Sequence, residues 1–195
     1  MKKIREWVEY QTEIANMTKK ERKKMSKFVP LHLTVAGEGG SGKSMLVKTI
    51  VSAIRRMFQS KDTALVAAPT GAASFSGGGV TLHRLFSLPV KRSTTEIGQE
   101  KSRRLKETFA NNILLVFDKR SMISAEDLAF VEAYARKVVH NGRNENELFG
   151  GIPVVMMVGD DYQLPSIKDG APGTFSMDAK QRGIDFIGGQ VFKQM

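Results

Sequence analysis

The chain has 195 residues, 41% of them hydrophobic, and thirty basic against twenty acidic side chains give it a formal charge of +10. This length suits one α/β domain or slightly more, and no apolar run reaches the roughly 18 residues of a membrane-spanning helix. The absence of cysteine excludes disulfides and thiolate metal sites, and the charged N-terminus leads into no apolar segment typical of a signal peptide. The charge is compatible with a polyanionic partner and equally with a merely basic surface.

The first half of the chain alternates helix and strand patterns. The predicted elements are a helix over residues 4–17, a strand over 31–36, a helix over 44–58 and a strand over 63–68. Trp7 is expected to anchor the first helix to the rest of the domain. The three glycines at residues 77–79 predict a flexible break.

The second half continues the same alternation. The predicted elements are a polar loop over residues 91–102, a helix near 101–110, a strand over 113–117, a helix over 124–140, a loop over 141–151 and a strand over 152–158. Ser124 and the acidic residues after it are typical of a helix N-terminus. The last strand is almost wholly apolar, as expected for a strand that helices cover on both faces.

Strands that alternate with helices predict an α/β fold with a parallel sheet flanked by helices. The basic segment over residues 1–29 is expected to form a helical N-terminal arm, and residues 30–195 a single domain. A monomer is the default expectation.

A phosphate-binding loop lies between the first strand and the helix that follows it. Its residues fit the pattern G-x-x-x-x-G-K-[ST]: Gly37, Glu38, Gly39, Gly40, Ser41, Gly42, Lys43 and Ser44. Glycines let main-chain N–H groups surround phosphate oxygens, and the helix N-terminus favours the same anion. Lys43 would contact the β- and γ-phosphates, and the Ser44 hydroxyl would bind magnesium. The sequence therefore predicts a P-loop NTPase that binds ATP and Mg²⁺.

A P-loop NTPase also needs an acidic residue at the end of a neighbouring strand to hold the metal. Asp118 directly follows an apolar run and is the candidate. ATP-hydrolysing enzymes of this kind usually place a glutamate at the next position to polarise the attacking water, and here that position is Lys119.

An ammonium cannot accept a proton, and general-base assistance contributes ~10²–10⁴ in rate. Lys119 therefore predicts that ATP binding survives while hydrolysis is badly impaired. The alternative is that Lys119 is an incidental change in an otherwise ordinary enzyme.

Four segments and an intervening stretch carry a family resemblance. They are residues 37–44, residues 68–73 (A-P-T-G-A-A), residues 81–86 (T-L-H-R-L-F), residues 117–122 (F-D-K-R-S-M) and residues 159–165 (G-D-D-Y-Q-L-P). In this order they resemble the PIF-type and RecD-type DNA helicases of superfamily I. The resemblance implies a RecA-like domain that couples ATP hydrolysis to movement on single-stranded DNA in repair, recombination or replication.

The resemblance also implies roles for individual residues. Gln163 would contact the γ-phosphate and act with Lys43 and Asp118 in catalysis. Thr70, Gly71, Thr81 and His83 match segments that lie along single-stranded DNA. Phe86 is either a base-stacking surface or part of the core, and Gln11 is a weak match to a glutamine that recognises adenine.

The resemblance has departures that keep other functions open. The family carries a second RecA-like domain, whereas this chain ends about thirty residues after Gln163, so unwinding by this chain alone is not expected. The first alternative is a nucleotide-binding, hydrolysis-deficient module associated with DNA. The second, a small-molecule kinase, is disfavoured because kinases do not need the G-D-x-x-Q-L-P segment.

Overall fold

The structure is a computed structural model, and it describes residues 1–22, 25, 28–89, 96–139, 147–160, 162–164 and 184–195. Five strands of the described chain form one parallel sheet: β1 (Leu31–Ala36), β2 (Ala64–Ala68), β3 (Val80–Thr81), β4 (Leu114–Asp118) and β5 (Val154–Gly159). Their spatial order is β1-β5-β4-β2-β3. The chain thus leaves β1, forms β2 at a distance, and later fills the gap with β4 and β5.

Helices connect and cover these strands. They are α1 (Lys2–Asn16), α2 (Lys19–Arg22), α3 (Lys43–Phe58), α4 (Gly71–Gly77), α5 (Leu82–Phe86), α6 (Gln99–Phe109), α7 (Ala125–Val138) and α8 (Ile184–Lys193). Short 3₁₀ turns lie at Lys61–Thr63, Arg120–Met122 and Leu148–Gly151. None of the described helices has the length and hydrophobicity needed to cross a bilayer.

Two hydrophobic cores lie on opposite faces of the sheet, because alternate residues of each strand point to opposite sides. In β4, for example, Leu115 and Phe117 belong to one core while Leu114 and Val116 belong to the other. Helices α5, α6, α7 and α8 cover the first face, and α1 and α3 cover the second. The predicted α/β fold, a RecA-like parallel sheet flanked by helices, is therefore confirmed.

The N-terminal helix shares the second core. Ile4 and Trp7 are buried in the same cluster as Val47 and Val51 of α3. The Trp7 ring lies 5.1 Å from that of Phe28, measured between centroids. The expected anchoring role of Trp7 is confirmed.

The glycine-rich segment at 77–79 is not a flexible break, and that prediction is wrong. Helix α4 ends at Gly77. The next residue, Gly78, has a left-handed backbone (φ 68°), and its N–H donates to Phe75 O. The Gly79 N–H donates to Ser74 O at 2.9 Å, so the glycines form a helix C-cap.

Several elements of the structure were not predicted from the sequence. Helices α4 and α5 and the two-residue β3 are too short to show a period, and α8 lies beyond the last predicted strand. Helix α6 also begins at Gln99, inside the segment predicted to be a loop. Residues 91–95 and 141–146 of the predicted loops, and the last residue of the helix predicted over 124–140, lie outside the described residues.

Candidate nucleotide-binding site

Three adjacent strands bring the candidate residues to one edge of the sheet. The phosphate loop follows β1, Asp118 is the last residue of β4, and Gln163 comes shortly after β5. Because β5 lies between β1 and β4 and all three are parallel, their carboxyl ends meet at the same edge. Open α/β sheets bind ligands outside the carboxyl ends of their strands.

The phosphate loop has the backbone geometry that its glycines permit. Gly40 and Gly42 have φ values of 80° and 85°, a left-handed region that side-chain-bearing residues rarely adopt. Helix α3 begins directly at Lys43, so its N-terminal partial positive charge lies at the loop. A pocket opens here, lined by Gly39, Gly40, Ser41, Gly42, Lys43, Ser44, Met45, Lys119 and Gln163.

The Lys43 ammonium lies within the loop. Its Nζ donates to the carbonyl oxygens of Gly37 and Glu38, both at 2.6 Å, and to Ser41 Oγ at 3.0 Å. These contacts hold the positive charge of Lys43 against the main chain of the phosphate loop. Such an arrangement favours a polyanion such as a triphosphate.

Asp118 presents a nearly buried carboxylate at the end of β4. Asp118 is only 6% exposed, and its Oδ1 accepts a hydrogen bond from the Lys119 main-chain N–H at 2.8 Å. The other oxygen, Oδ2, faces the C-terminus of α4, where a Cβ at Gly77 would lie 3.6 Å away. One carboxylate oxygen is thus fixed by the backbone.

Lys119 is in the pocket with the phosphate loop. Its backbone is left-handed (φ 57°, ψ 48°), an uncommon conformation for a residue other than glycine. Its ammonium donates to Gln163 Oε1 at 3.0 Å. The side chain that replaces the expected glutamate therefore contacts the glutamine attributed to γ-phosphate sensing.

A tight turn after β5 positions Gln163. The Asp160 carboxylate accepts the Tyr162 N–H at 3.0 Å, and the Asp160 carbonyl accepts the Gln163 N–H at 3.3 Å. The Gln163 amide nitrogen faces the phosphate loop, since a Cβ at Gly39 would lie 3.7 Å from Nε2. Asp160 thus shapes the turn that carries the glutamine.

The candidate DNA-contacting residues lie beyond the next two strands. Thr70 and Gly71 follow β2, and Thr81 and His83 lie where β3 enters α5. Both threonine hydroxyls cap helices: Thr70 Oγ1 accepts the Ala73 N–H at 3.3 Å, and Thr81 Oγ1 accepts the Arg84 N–H at 3.2 Å. His83 Nε2 lies 4.0 Å from an Asp127 carboxylate oxygen. These hydroxyls thus act as helix N-caps, a role that the sequence analysis missed. Threonine is a common N-cap residue, so this signal was present in the sequence.

The structure resolves the open question about Phe86. The residue is fully buried, and its ring lies 5.0 Å from Phe109 and 6.5 Å from Phe117, measured between centroids. Phe86 is therefore core, and the base-stacking alternative is wrong.

Gln11 is at the opposite edge of the sheet from the phosphate loop. It lines a pocket with Trp7, Phe58 at the end of α3, and Ile113 just before β4. The 16-residue α3 spans about 24 Å between this pocket and the loop at its other end. The suggestion that Gln11 recognises adenine is therefore wrong.

Comparison with known proteins gives a consistent family. The family described as PIF1-like helicase matches residues 11–179. The chain is 32% identical over 140 residues to the ATP-dependent DNA helicase PIF1 of Emericella nidulans, covering 69% of this chain and 18% of the relative. It is 31% identical over 149 residues to the protein of the same name from Saccharomyces cerevisiae, covering 74% and 17%.

Solved structures give the same similarity. The Pif1 helicase of Candida albicans superposes with a TM-score of 0.61 at 29% identity, covering 73% of this chain and 32% of that chain. Bacteroides Pif1 bound to single-stranded DNA superposes with a TM-score of 0.54 at 33% identity, covering 71% and 30%. The chain thus spans less than a fifth of the length of these two curated relatives and about a third of these solved chains.

Proposed function

The chain belongs to the PIF1-like helicase family, and from this premise we propose that it forms the ATP-binding motor domain of an ATP-dependent DNA helicase. One observation carries the proposal: the phosphate loop, Asp118 and Gln163 come from three adjacent strands and share one edge of the sheet. Family members are named ATP-dependent DNA helicases. This domain would supply one of the two moving parts that unwinding requires.

The nucleotide would lie across the loop, with its phosphates against the loop amides, the start of α3 and Lys43. Magnesium would be held by the Asp118 carboxylate at the end of β4 and by the Ser44 hydroxyl on the first turn of α3. Within the described residues no group of three or more histidines and acidic residues gathers elsewhere as a metal site. A sparse protein ligand set suits magnesium, which keeps waters and phosphate oxygens as its other ligands. When bound, the ion neutralises phosphate charge.

Single-stranded DNA is the proposed polymer partner. Thr70 and Gly71 follow β2, and Thr81 and His83 lie at and just after the end of β3, at the same edge of the sheet as the nucleotide pocket. A homologous structure is described as Bacteroides Pif1 bound to single-stranded DNA, and the chain's formal charge of +10 favours phosphate contacts. Strand separation of this kind would serve repair, recombination or replication.

Calorimetric titration with ATP and magnesium tests the nucleotide proposal. We expect Lys43→Ala to weaken ATP binding by about 100-fold, because it removes a charge-assisted phosphate contact. Lys61→Ala is the matched control, since Lys61 is exposed in the 3₁₀ turn at the opposite edge. Equal affinities of the wild type and Lys43→Ala would overturn the proposal.

Fluorescence anisotropy with a labelled single-stranded oligonucleotide tests the DNA proposal. His83→Ala should weaken binding a few-fold, and the affinity of the wild type should fall steeply between about 50 and 200 mM salt. Lys61→Ala again serves as the control, here for a general loss of positive charge. Salt-independent binding, or no binding at low salt, would refute a phosphate-contacting surface.

A further inference from the structure

The contact between Lys119 and Gln163 fixes the orientation of the glutamine amide. A lysine ammonium has three donors and no acceptor, so the atom that faces it must be the amide oxygen. The observed bond, from Lys119 Nζ to Gln163 Oε1 at 3.0 Å, satisfies that requirement. The amide nitrogen Nε2 is consequently on the side of Gly39 in the phosphate loop.

This orientation directs the donor end of the Gln163 amide toward the phosphate loop and its acceptor oxygen toward Lys119. Nε2 can donate to a phosphate oxygen, whereas Oε1, the atom that could accept from an attacking water, already accepts one hydrogen bond, from Lys119, with one of its two lone pairs. The Lys119 ammonium lines the same pocket as Lys43 and the loop glycines. Two lysines, one at the start of α3 and one directly after β4, therefore line the same pocket.

Resting on the nucleotide-binding function proposed above, we propose that Lys119 is a second phosphate-binding lysine, which contacts the γ-phosphate and makes the site selective for nucleoside triphosphates over diphosphates. The loop amides surround the α- and β-phosphates. Lys119 directly follows β4, and Gln163 lies between it and the phosphate loop. The Lys119 ammonium instead meets the terminal phosphate, which is the group that distinguishes ATP from ADP. Gln163 then acts as a donor held in place by Lys119.

The test compares affinities for a non-hydrolysable ATP analogue and for ADP, measured by calorimetry with magnesium present. Lys119→Met removes the ammonium while keeping an unbranched side chain. We expect it to weaken binding of the ATP analogue by on the order of tenfold, the effect of one hydrogen bond to a charged group. ADP affinity should change by less than about twofold. Lys119→Arg should retain the preference for the triphosphate, and Lys61→Met is the matched control.

The outcomes separate this inference from the proposed function. If Lys119→Met leaves the ratio of the two affinities unchanged while Lys43→Ala still weakens ATP binding, Lys119 has no role at the γ-phosphate and the nucleotide site stands. If the wild-type protein binds neither nucleotide, both proposals fall. A circular dichroism spectrum of Lys119→Met that matches the wild type verifies that the fold persists.

Discussion

The two edges of the sheet each carry a pocket, and they differ in chemistry. At the carboxyl ends of the strands the pocket is lined by glycines, two lysines, two serines and a glutamine, with Met45 as its apolar member. At the amino ends the larger pocket is lined by Trp7, Phe58, Ile113 and small or polar residues. The lining of the first suits a polyanion, whereas the second has no lysine, arginine or carboxylate among its lining residues.

The size of a pocket therefore does not indicate where the nucleotide binds in this fold, because the smaller of the two pockets has the lining that suits phosphate. Parallel strands direct their loops so that charged and glycine-rich segments gather at the carboxyl edge. The amino edge instead joins α1 to α3 and β4 through the second hydrophobic core. We therefore expect substitutions at the first edge to change nucleotide chemistry and substitutions at the second to change stability.

The largest effect is expected from Lys119→Glu at the carboxyl edge. A carboxylate in place of the ammonium can accept a proton from water, so the rate of ATP cleavage should rise by about 10²-fold. Phosphate release under single-turnover conditions with magnesium and single-stranded DNA measures it. Lys119→Gln, which removes the charge without adding a base, is the control. An unchanged rate for Lys119→Glu would show that the residue does not limit hydrolysis.

Trp7→Ala addresses the amino edge. Trp7 is 6% exposed and packs against Tyr10 and Phe28, so its truncation should lower the free energy of unfolding by about 3–5 kcal/mol. Urea denaturation measures the loss, and Val8→Ala on the exposed side of α1 is the control. The ATP affinity of the folded protein should be unaffected. A changed ATP affinity of Trp7→Ala would show that the amino edge also influences the nucleotide site.

Gly79→Ala tests a packing requirement between the two edges, where the chain that enters β3 approaches the middle of β2. An ideal Cβ at this position would lie 2.2 Å from the Val66 carbonyl oxygen in β2, so the backbone must shift. We expect a loss of about 1–3 kcal/mol in the free energy of unfolding. The control is Gly71→Ala at the start of α4, where a Cβ meets nothing within 4 Å. Equal stabilities of the two variants in thermal denaturation would contradict the close approach.

The smallest effect concerns His32 in β1. Burial lowers the pKa of His32, and the Glu147 carboxylate opposes that shift more weakly. The unfolded chain therefore takes up a proton more readily than the folded protein below the unfolded pKa of about 6.5. The stability that neutral His32 contributes is present above that pH and is lost as the pH falls through the folded pKa. His32→Leu should flatten the decline in urea midpoint between pH 7 and 5, and an unaltered slope would exclude His32 as its source.

Much of the nucleotide site could be predicted because its information is local. The phosphate loop occupies eight consecutive residues between a strand and a helix, and Asp118 ends an apolar run. The structure places both at one sheet edge, with α3 starting at Lys43. The roles assigned to Lys43, Ser44, Asp118 and Gln163 stay predictions until the affinity and turnover measurements are made.

Other features depended on contacts between distant residues. The bond between Lys119 and Gln163 joins positions 44 residues apart, and it exists because β4 and β5 are neighbours. Phe86 follows a segment that resembles a DNA-contacting motif, yet its ring is enclosed by Phe109 and Phe117. Gln11 has the residue type of a base-recognising group, but α3 separates it from the loop.

The sequence by itself determined the alternation of strands and helices, the phosphate loop and the acidic strand end, because hydrophobic period and glycine spacing act over a few residues. The tertiary structure decided the strand order, which set Lys119 and Gln163 in one pocket. It also decided the packing of α1 against α3, which placed Gln11 at the other edge. Pairing between strands depends on how whole faces are buried, and that burial is a property of the assembled sheet.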